Sequence, residues 1–193
     1  MTTMTWSQTA SGGRWEYTNP AAENVEWADV AHALAHICRF GGHTQMFYSV
    51  AEHCCRVHDW LITQPVPRSV RLVGLLHDAH EFVIGDIPTP LANVLGADMI
   101  RDLKATHDAA IFARAKLPYP WDDETKTWVK RADAVMLMSE RDALLVRGDP
   151  WPDGLEEIER TPIVRPGWFP QHAARAWLLR LQKYGYDVAV EGK

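Results

Sequence analysis

The stretch Leu75-Leu76-His77-Asp78-Ala79-His80-Glu81 sets an adjacent histidine and aspartate inside an apolar run. Val73, His77 and Ile84 fall on one face of a helix, so the polar pair is expected to point toward the interior of the fold. An unpaired charge buried there would cost several kcal/mol, whereas a divalent metal accepts both side chains as ligands and removes that cost. The fold is therefore constrained to bring further polar partners to this pair.

Two more ionisable side chains lie on apolar helical stripes elsewhere in the sequence. His53 shares a helical face with Val57, and Asp133 falls beside Met136. The candidate ligand set is therefore two histidines and two aspartates: His53, His77, Asp78 and Asp133. The alternative is a hydrogen-bonded core network, in which four inward-facing ionisable groups would have to satisfy one another unaided.

Mixed imidazole and carboxylate ligands suit a divalent metal ion such as Co, Mn, Zn, Ni, Fe or Mg. Four protein ligands on an octahedral ion leave positions open for water and substrate, which distinguishes a catalytic site from a structural one. Such an ion makes water a better nucleophile at neutral pH and can hold a phosphate oxygen.

The order of these residues resembles the metal-binding pattern of the HD-domain metal-dependent phosphohydrolases. The segment Gly85-Asp86-Ile87-Pro88-Thr89-Pro90 is similar to the one that marks the 5'-deoxynucleotidase branch of that superfamily, and Arg39 resembles its phosphate-binding arginine. The match covers about residues 39–145. The resemblance implies an all-α HD-domain helical bundle. Length and local sequence patterns predict a single domain, with a short irregular or hairpin N-terminus and a Pro-rich C-terminal cover.

Two carboxylates near the ligand set are candidate catalytic residues. Glu81 follows His77 by four residues and Asp78 by three, so its carboxylate can reach a water beside the ion. The alternative is that Glu81 is exposed to solvent at the end of the helix and forms a salt bridge. For Asp86 the resemblance implies a catalytic role, protonating the departing alkoxide, and the alternative is a turn cap.

Arg39, Phe40 and His43 are candidate substrate-binding residues. Arg39 offers a planar fork that matches phosphate oxygens, although a surface arginine at a helix C-terminus is a serious alternative. Members of the 5'-deoxynucleotidase branch typically have a tryptophan after this arginine. Phe40 keeps a flat ring without the indole donor, so discrimination against a 2'-hydroxyl does not carry over. His43 follows two glycines and could reach a phosphate from the loop.

The resulting functional hypothesis is a metal-dependent phosphohydrolase acting on a small-molecule nucleotide, with a deoxynucleoside monophosphate as the favoured substrate. One alternative is a deoxynucleoside triphosphate hydrolase of the small phage-like kind, which the segment 39–43 also resembles. An alternative from another class is a catalytically inactive nucleotide- or metal-binding regulator.

Length, charge and composition restrict the kinds of protein that this sequence can encode. The chain has 193 residues, of which 47% are apolar, and this favours one domain spanning 1–193. A net charge of -5 argues against a nucleic-acid partner.

No apolar run approaches the ~20 residues of a membrane span, and the polar N-terminus lacks a signal-peptide core, which favours a cytoplasmic protein. Three cysteines predict reduced thiols. The nine tryptophans leave open a contact in a homodimer or higher homo-oligomer.

The local patterns predict a hairpin over 6–19 and helices over 27–40, 49–63, 68–84, 98–116, 123–146 and 170–184, with an irregular cover over 151–167. Ser49 and Glu52 match a capping box. His32 and His36 could form a second metal face, but packing or surface exposure is commoner for such a pair. The remaining histidines are interpreted as ordinary: His58, His80, His107 and His172.

Overall fold

The computed structural model describes residues 4–151 and 154–188. Within these ranges the chain forms a two-stranded antiparallel hairpin followed by eight α-helices. The elements are β1 (Trp6–Gln8), β2 (Arg14–Glu16), α1 (Trp27–His36), α2 (Val50–Ile62), α3 (Arg68–Leu76), α4 (Glu81–Ile84), α5 (Thr89–Leu95), α6 (Ala97–Arg114), α7 (Asp123–Leu144) and α8 (Pro170–Gln182).

Helix α2 lies at the centre of the bundle and contacts α1, α3, α7 and α8. Its N-terminus is capped as expected, because the Ser49 hydroxyl accepts a hydrogen bond from the Glu52 backbone N–H at 3.1 Å. The Glu52 carboxylate does not complete the capping box. It accepts hydrogen bonds from Arg56 and from the Trp168 backbone instead, and so fastens the irregular C-terminal segment to α2.

Helix α8 closes the core against α1. Trp177 of α8 is completely buried, and its indole N–H donates to the Leu75 carbonyl at 3.2 Å. Its ring also lies 6.2 Å from that of Trp27. A buried indole of this size needs a partner for its N–H, and the end of α3 provides it.

The N-terminal hairpin packs on the bundle near α4. Trp15 of β2 is completely buried and packs edge-on against Phe82, with ring centroids 4.8 Å apart. Its indole N–H donates to Nδ1 of His107 at 3.2 Å, and the Tyr17 hydroxyl donates to the Val83 carbonyl at 3.0 Å. The predicted hairpin is therefore present and anchored by aromatic residues.

The first predicted helix was too long. It ends at His36, and the next residues are extended because Cys38 forms an antiparallel bridge with Ser49. The Arg39 backbone N–H donates to the Tyr48 carbonyl at 2.9 Å, so Arg39 lies beyond the end of α1 and not in its last turn. Phe40 then has a φ of 56°, which begins a left-handed turn through the two glycines that follow.

The predicted helix over 68–84 is interrupted. It divides into α3 and α4, and the residues between them make tight bonds three residues apart, from Ala79 N–H to the Leu76 carbonyl and from Glu81 N–H to the Asp78 carbonyl. Gly85 ends α4 as predicted, with a φ of 77°.

Helix α5 was not predicted, because Pro88 and Pro90 were interpreted as loop residues. In the structure Pro88 is the N-cap and Pro90 lies in the first turn, where the missing N–H costs nothing. The observed ends of α6, α7 and α8 lie within two residues of the predicted ends. Among the described residues, we find no helix with the length and apolar character needed to cross a bilayer.

Candidate metal centre

The side chains of the four candidate ligands converge. Nε2 of His77 lies 3.1 Å from Oδ2 of Asp78, and Nε2 of His53 lies 3.1 Å from Oδ1 of Asp133. The two Nε2 atoms are 3.4 Å apart, and Nε2 of His53 is 3.6 Å from Oδ2 of Asp78. Ligands bound to one ion at about 2.0–2.2 Å lie at such separations from their neighbours.

Three parts of the bundle provide these residues. His53 lies in the first turn of α2, where it is completely buried, and His77 and Asp78 lie in the turn between α3 and α4. Asp133 lies on α7, and its side chain is 42% exposed. The cluster is therefore buried on the side of α2 and accessible to solvent at Asp133, so it resembles an open site more than a closed structural one.

Both imidazoles are held by hydrogen bonds on the side away from the cluster. Nδ1 of His53 lies 2.7 Å from Oε1 of Glu140, and Nδ1 of His77 lies 2.9 Å from the Gly74 carbonyl oxygen. Because both partners are acceptors, we assign the proton to Nδ1 in each ring. The Nε2 lone pairs then face the cluster, as in histidines that ligate a metal.

Glu140 was missed by the sequence analysis. Its carboxylate is completely buried and also accepts hydrogen bonds from Nε of Arg39 at 3.1 Å and from the Tyr48 hydroxyl at 2.8 Å. Burial opposes ionisation, but His53 and Arg39 hold the pKa of Glu140 below its ordinary value. The sequence did contain a signal for this residue. Glu140 lies four residues after Met136 and four before Leu144, so it falls on an apolar stripe of the helix.

Arg39 is not the surface residue that one interpretation proposed, because it is only 8% exposed. Its Nη1 lies 3.6 Å from Oδ2 of Asp78, so the guanidinium reaches the edge of the ligand cluster. Burial would lower the pKa of Arg39, but Glu140, Asp133 and Asp78 raise it above its ordinary value. A fixed positive charge thus lies next to the candidate metal ligands.

The cluster attracts positive charge. Burial and Arg39 oppose protonation of His53, yet Glu140 and Asp133 raise its pKa above the ordinary value. His77 likewise has a pKa well above the usual range despite burial, because Asp78 and Asp133 face it. Partial burial would raise the pKa of Asp133, but the two histidines hold it well below its usual value. A dication can replace the protons in such a cluster.

Glu81 and Asp86 lie on the same side of the protein as the cluster. Glu81 is 3% exposed, and its Oε2 has no hydrogen-bond partner among the described residues. Burial, reinforced by Asp78 and Asp86, raises the pKa of Glu81 well above its ordinary value. Asp86 is half-buried, and burial raises its pKa while Arg39 opposes the shift. The solvated salt bridge considered for Glu81 is therefore not formed within the described structure.

The other candidate substrate residues are less close to the cluster. The Phe40 ring lies beside Arg39, with its centroid 5.5 Å from the guanidinium carbon, and 6.4 Å from the ring of Trp151. His43 is exposed, and its side chain makes no hydrogen bond with any described residue. The structure thus brings Phe40 to the edge of the site and leaves His43 on the outer loop.

The residues present fit a divalent ion. Two neutral imidazole nitrogens, two carboxylates and an orphaned buried carboxylate oxygen form a donor set typical of Mn, Fe, Co, Ni or Zn. Arg39 adds a cation that can pair with an anionic substrate. The arrangement can therefore bind a metal and an anion side by side.

The fold is that of the HD-domain proteins. The structure resembles the cyanophage S-2L HD phosphohydrolase DatZ, solved with dA and one catalytic Zn²⁺ ion, with a TM-score of 0.50 and 19% sequence identity over 83% of this chain and 87% of that one. The expected all-α HD-domain fold is thereby confirmed. No family model matches the sequence.

Two curated proteins are similar in sequence. The uncharacterised protein YfdR of Escherichia coli K12 is 37% identical over 164 residues, which cover 83% of this chain and 86% of YfdR. An uncharacterised protein of Rhodobacter capsulatus is 36% identical over 135 residues, which cover 67% of this chain and 68% of that protein. The chain belongs to the same family as YfdR.

Proposed function

We propose that the protein is a metal-dependent phosphohydrolase acting on nucleotides, and that its substrate is a deoxynucleoside 5'-monophosphate, which it converts to a deoxynucleoside and phosphate. The observation that carries the proposal is the convergence of His53, His77, Asp78 and Asp133 next to the buried guanidinium of Arg39. The DatZ structure, a phosphohydrolase of the same fold solved with dA, supports a deoxynucleoside as the organic part of the substrate.

The four ligand candidates would hold a divalent ion of the Mn, Fe, Co, Ni, Zn or Mg group. When bound, the ion would supply a Lewis acid that polarises a phosphate oxygen and lowers the pKa of water. The protein contributes the geometry, because Glu140 and the Gly74 carbonyl fix both imidazoles before substrate arrives.

Arg39 would bind the phosphate through the planar edge of its guanidinium, since Nη1 faces the cluster while Nε is engaged by Glu140. The pair with Glu140 prevents the arginine from turning away. Phe40, which packs beside Arg39, would then contact the sugar with its ring. His43 remains a candidate phosphate contact, although it would have to move inward from its exposed position.

Glu81 would act as the general base and accept a proton from the attacking water as the water oxygen bonds to phosphorus. Its raised pKa, and its Oε2 without a hydrogen-bond partner among the described residues, support this role, because a carboxylate with a raised pKa is a stronger base. The bond from phosphorus to the 5' oxygen would break, and Asp86, whose pKa is also raised, would donate a proton to that oxygen.

The test is a panel of ribo- and deoxynucleoside mono-, di- and triphosphates with Mn, Co, Zn and Mg, with products separated by chromatography. We expect inorganic phosphate from deoxynucleoside monophosphates, loss of activity with a chelator, and recovery with Mn or Co. In ¹⁸O-water the label should enter the phosphate. Intact triphosphate released from dATP would favour the triphosphate hydrolase instead.

Asp78→Asn should lose metal and turnover together, while Asp98→Asn, an exposed aspartate on α6, serves as the matched control and should retain both. Full activity of the metal-free protein would contradict the proposal. Nucleotide binding without turnover under every metal would identify the protein as a catalytically inactive regulator.

A further inference from the structure

The aromatic rings of Phe40 and Trp151 form a pair at the edge of the candidate metal centre. The Phe40 centroid lies 5.5 Å from the guanidinium carbon of Arg39, and the Trp151 ring lies 6.4 Å from that of Phe40 at an interplanar angle of 43°. Both side chains are half-buried, so each presents part of its ring to solvent. Arg39, Phe40 and Trp151 therefore follow one another from the ligand cluster toward the C-terminal segment.

Trp151 lies in an irregular segment after α7, yet its ring is held in place. The guanidinium carbon of Arg141 lies 4.7 Å from the ring centroid, a cation–π contact that covers one face of the indole. The Trp151 backbone N–H donates to Oε1 of Glu156 at 2.8 Å, and Arg141 forms an ion pair with the same carboxylate. Nη2 of Arg141 also donates to the Asp149 carbonyl at 3.0 Å. These contacts fix the indole without burying it.

The pair does not serve the interior of the protein. Trp15 and Trp177 are completely buried, whereas the hydrophobic core of the described residues and the side chains packed against it include neither Phe40 nor Trp151. A large aromatic side chain that is fixed but left half-exposed offers apolar area to a partner. With Arg141 on one face of the indole, a planar ligand would stack on the other.

We propose that Trp151 stacks on the nucleobase of the substrate and so makes the site select nucleotides over phosphate esters that lack a base. The inference rests on the proposed function, which puts the phosphate at Arg39 and the sugar at Phe40. The base is the part of the same molecule that lies beyond the sugar, as Trp151 lies beyond Phe40. Stacking on an aromatic side chain suits any base, because every base has a π-face. Trp151 is thus a specificity-determining residue.

The experiment compares ligands with and without a base on the Mn²⁺-loaded protein. Calorimetry measures the binding of inorganic phosphate and of the 5'-methylene phosphonate analogue of dAMP, in which a carbon replaces the 5' oxygen and prevents hydrolysis. Trp151→Leu should weaken the analogue about tenfold and leave phosphate unchanged. Trp151→Phe keeps an aromatic face and should restore most of the affinity.

The kinetic counterpart uses dAMP and 2-deoxyribose 5-phosphate as substrates. In Trp151→Leu the KM for dAMP should rise about tenfold with kcat unchanged, while both constants for the substrate without a base should stay the same. The matched control is Trp6→Leu, because Arg14 covers the Trp6 ring at the same 4.7 Å on the N-terminal hairpin. This variant should behave as wild type with every ligand.

Equal losses for the analogue and for phosphate in Trp151→Leu would show that the indole only supports the fold, and would overturn the inference. The wild type decides the question even if that variant fails to fold. If it binds the analogue no more tightly than phosphate, the base makes no contact, and hydrolysis of dAMP would still leave the proposed function intact. Selective loss of the analogue in Trp151→Leu, in a protein that hydrolyses no nucleotide, would support base stacking and contradict the proposed function.

Discussion

Nδ1 of His53 lies 2.7 Å from Oε1 of Glu140, and both side chains are completely buried. Glu140 follows Asp133 by two turns of α7, so one helix provides both a ligand candidate and the carboxylate that orients another ligand. Arg39 bonds the second oxygen of Glu140. The orientation of His53 and the position of the anion-binding arginine therefore depend on the same residue.

Replacing Glu140 with glutamine should weaken metal binding by about 10- to 100-fold, because the amide has one acceptor oxygen for the three donors that meet there. Competition with a chromophoric chelator measures the affinity. Glu124→Gln, an exposed change in the first turn of α7, is the control and should leave the affinity unchanged. An unaltered affinity in folded Glu140→Gln would show that Glu140 does not orient the ligand.

Gly74→Ala should destabilise the protein, because a Cβ at this position would collide with the Leu61 side chain, which is completely buried. Overpacking of this kind costs about 1–3 kcal/mol. Since the Gly74 carbonyl also positions His77, metal affinity should fall in the same variant. Urea denaturation gives the free energy of unfolding. Gly148→Ala, where a Cβ meets open space, should change it little.

The cysteines should differ in reactivity. Burial raises the pKa of Cys54 to about 11 and the pKa of Cys55 well above its ordinary value, so both remain protonated and covered. Cys38 is half-buried, and we expect it alone to react with Ellman's reagent in the native protein. Cys38→Ser should abolish native labelling, and two thiols should appear on denaturation. Rapid native labelling of this variant would contradict the buried positions.

The ion pair between Asp59 and Arg180 should contribute stability only above acidic pH. The pKa of Asp59 is about 2 in the folded protein, partial burial being outweighed by His58 and Arg180, against an ordinary value of 3.8. A carboxyl with a lowered pKa stabilises the fold above the unfolded-state value, and the contribution disappears as pH falls from 3.8 through about 2.

We therefore expect Asp59→Asn to lower the free energy of unfolding at pH 7, and the difference from wild type to decrease with pH and vanish below about pH 2. Because the Asp59 side chain is 48% exposed, solvent screening limits the effect to about 1 kcal/mol or less. Urea denaturation across this pH range measures it. A difference that persists undiminished at the acid limit would exclude the ion pair as its source.

The ligand candidates could be predicted because His53, His77 and Asp133 are polar residues on otherwise apolar helical stripes. Asp78 is adjacent to His77, and the order of all four resembles a known family. Their spatial convergence agrees with that prediction. The break between α3 and α4 could not be predicted, since no glycine or proline marks it and Val73, His77 and Ile84 continue the helical period. Tertiary contacts, among them the bond from His77 to the Gly74 carbonyl, override the local pattern there.

Contacts between residues that are far apart in the chain also could not be predicted from the sequence. Glu140 looks like one of many helix glutamates until Arg39, about a hundred residues away, is known to face it. The same holds for His80, in the turn between α3 and α4, and its partner Asp108 on α6. The single domain over 1–193, the oligomeric state, the lack of a nucleic-acid partner and the cytoplasmic location stay predictions.

The contact between α1 and α8 has a consequence for biosynthesis. These helices lie near opposite ends of the described chain, and each covers apolar residues of the other, including Trp27 and Trp177. On the ribosome, all four ligand candidates emerge well before α8 does. The contact between Trp27 and Trp177 can therefore form only after α8 has been synthesised, when all four ligand candidates are already part of the chain.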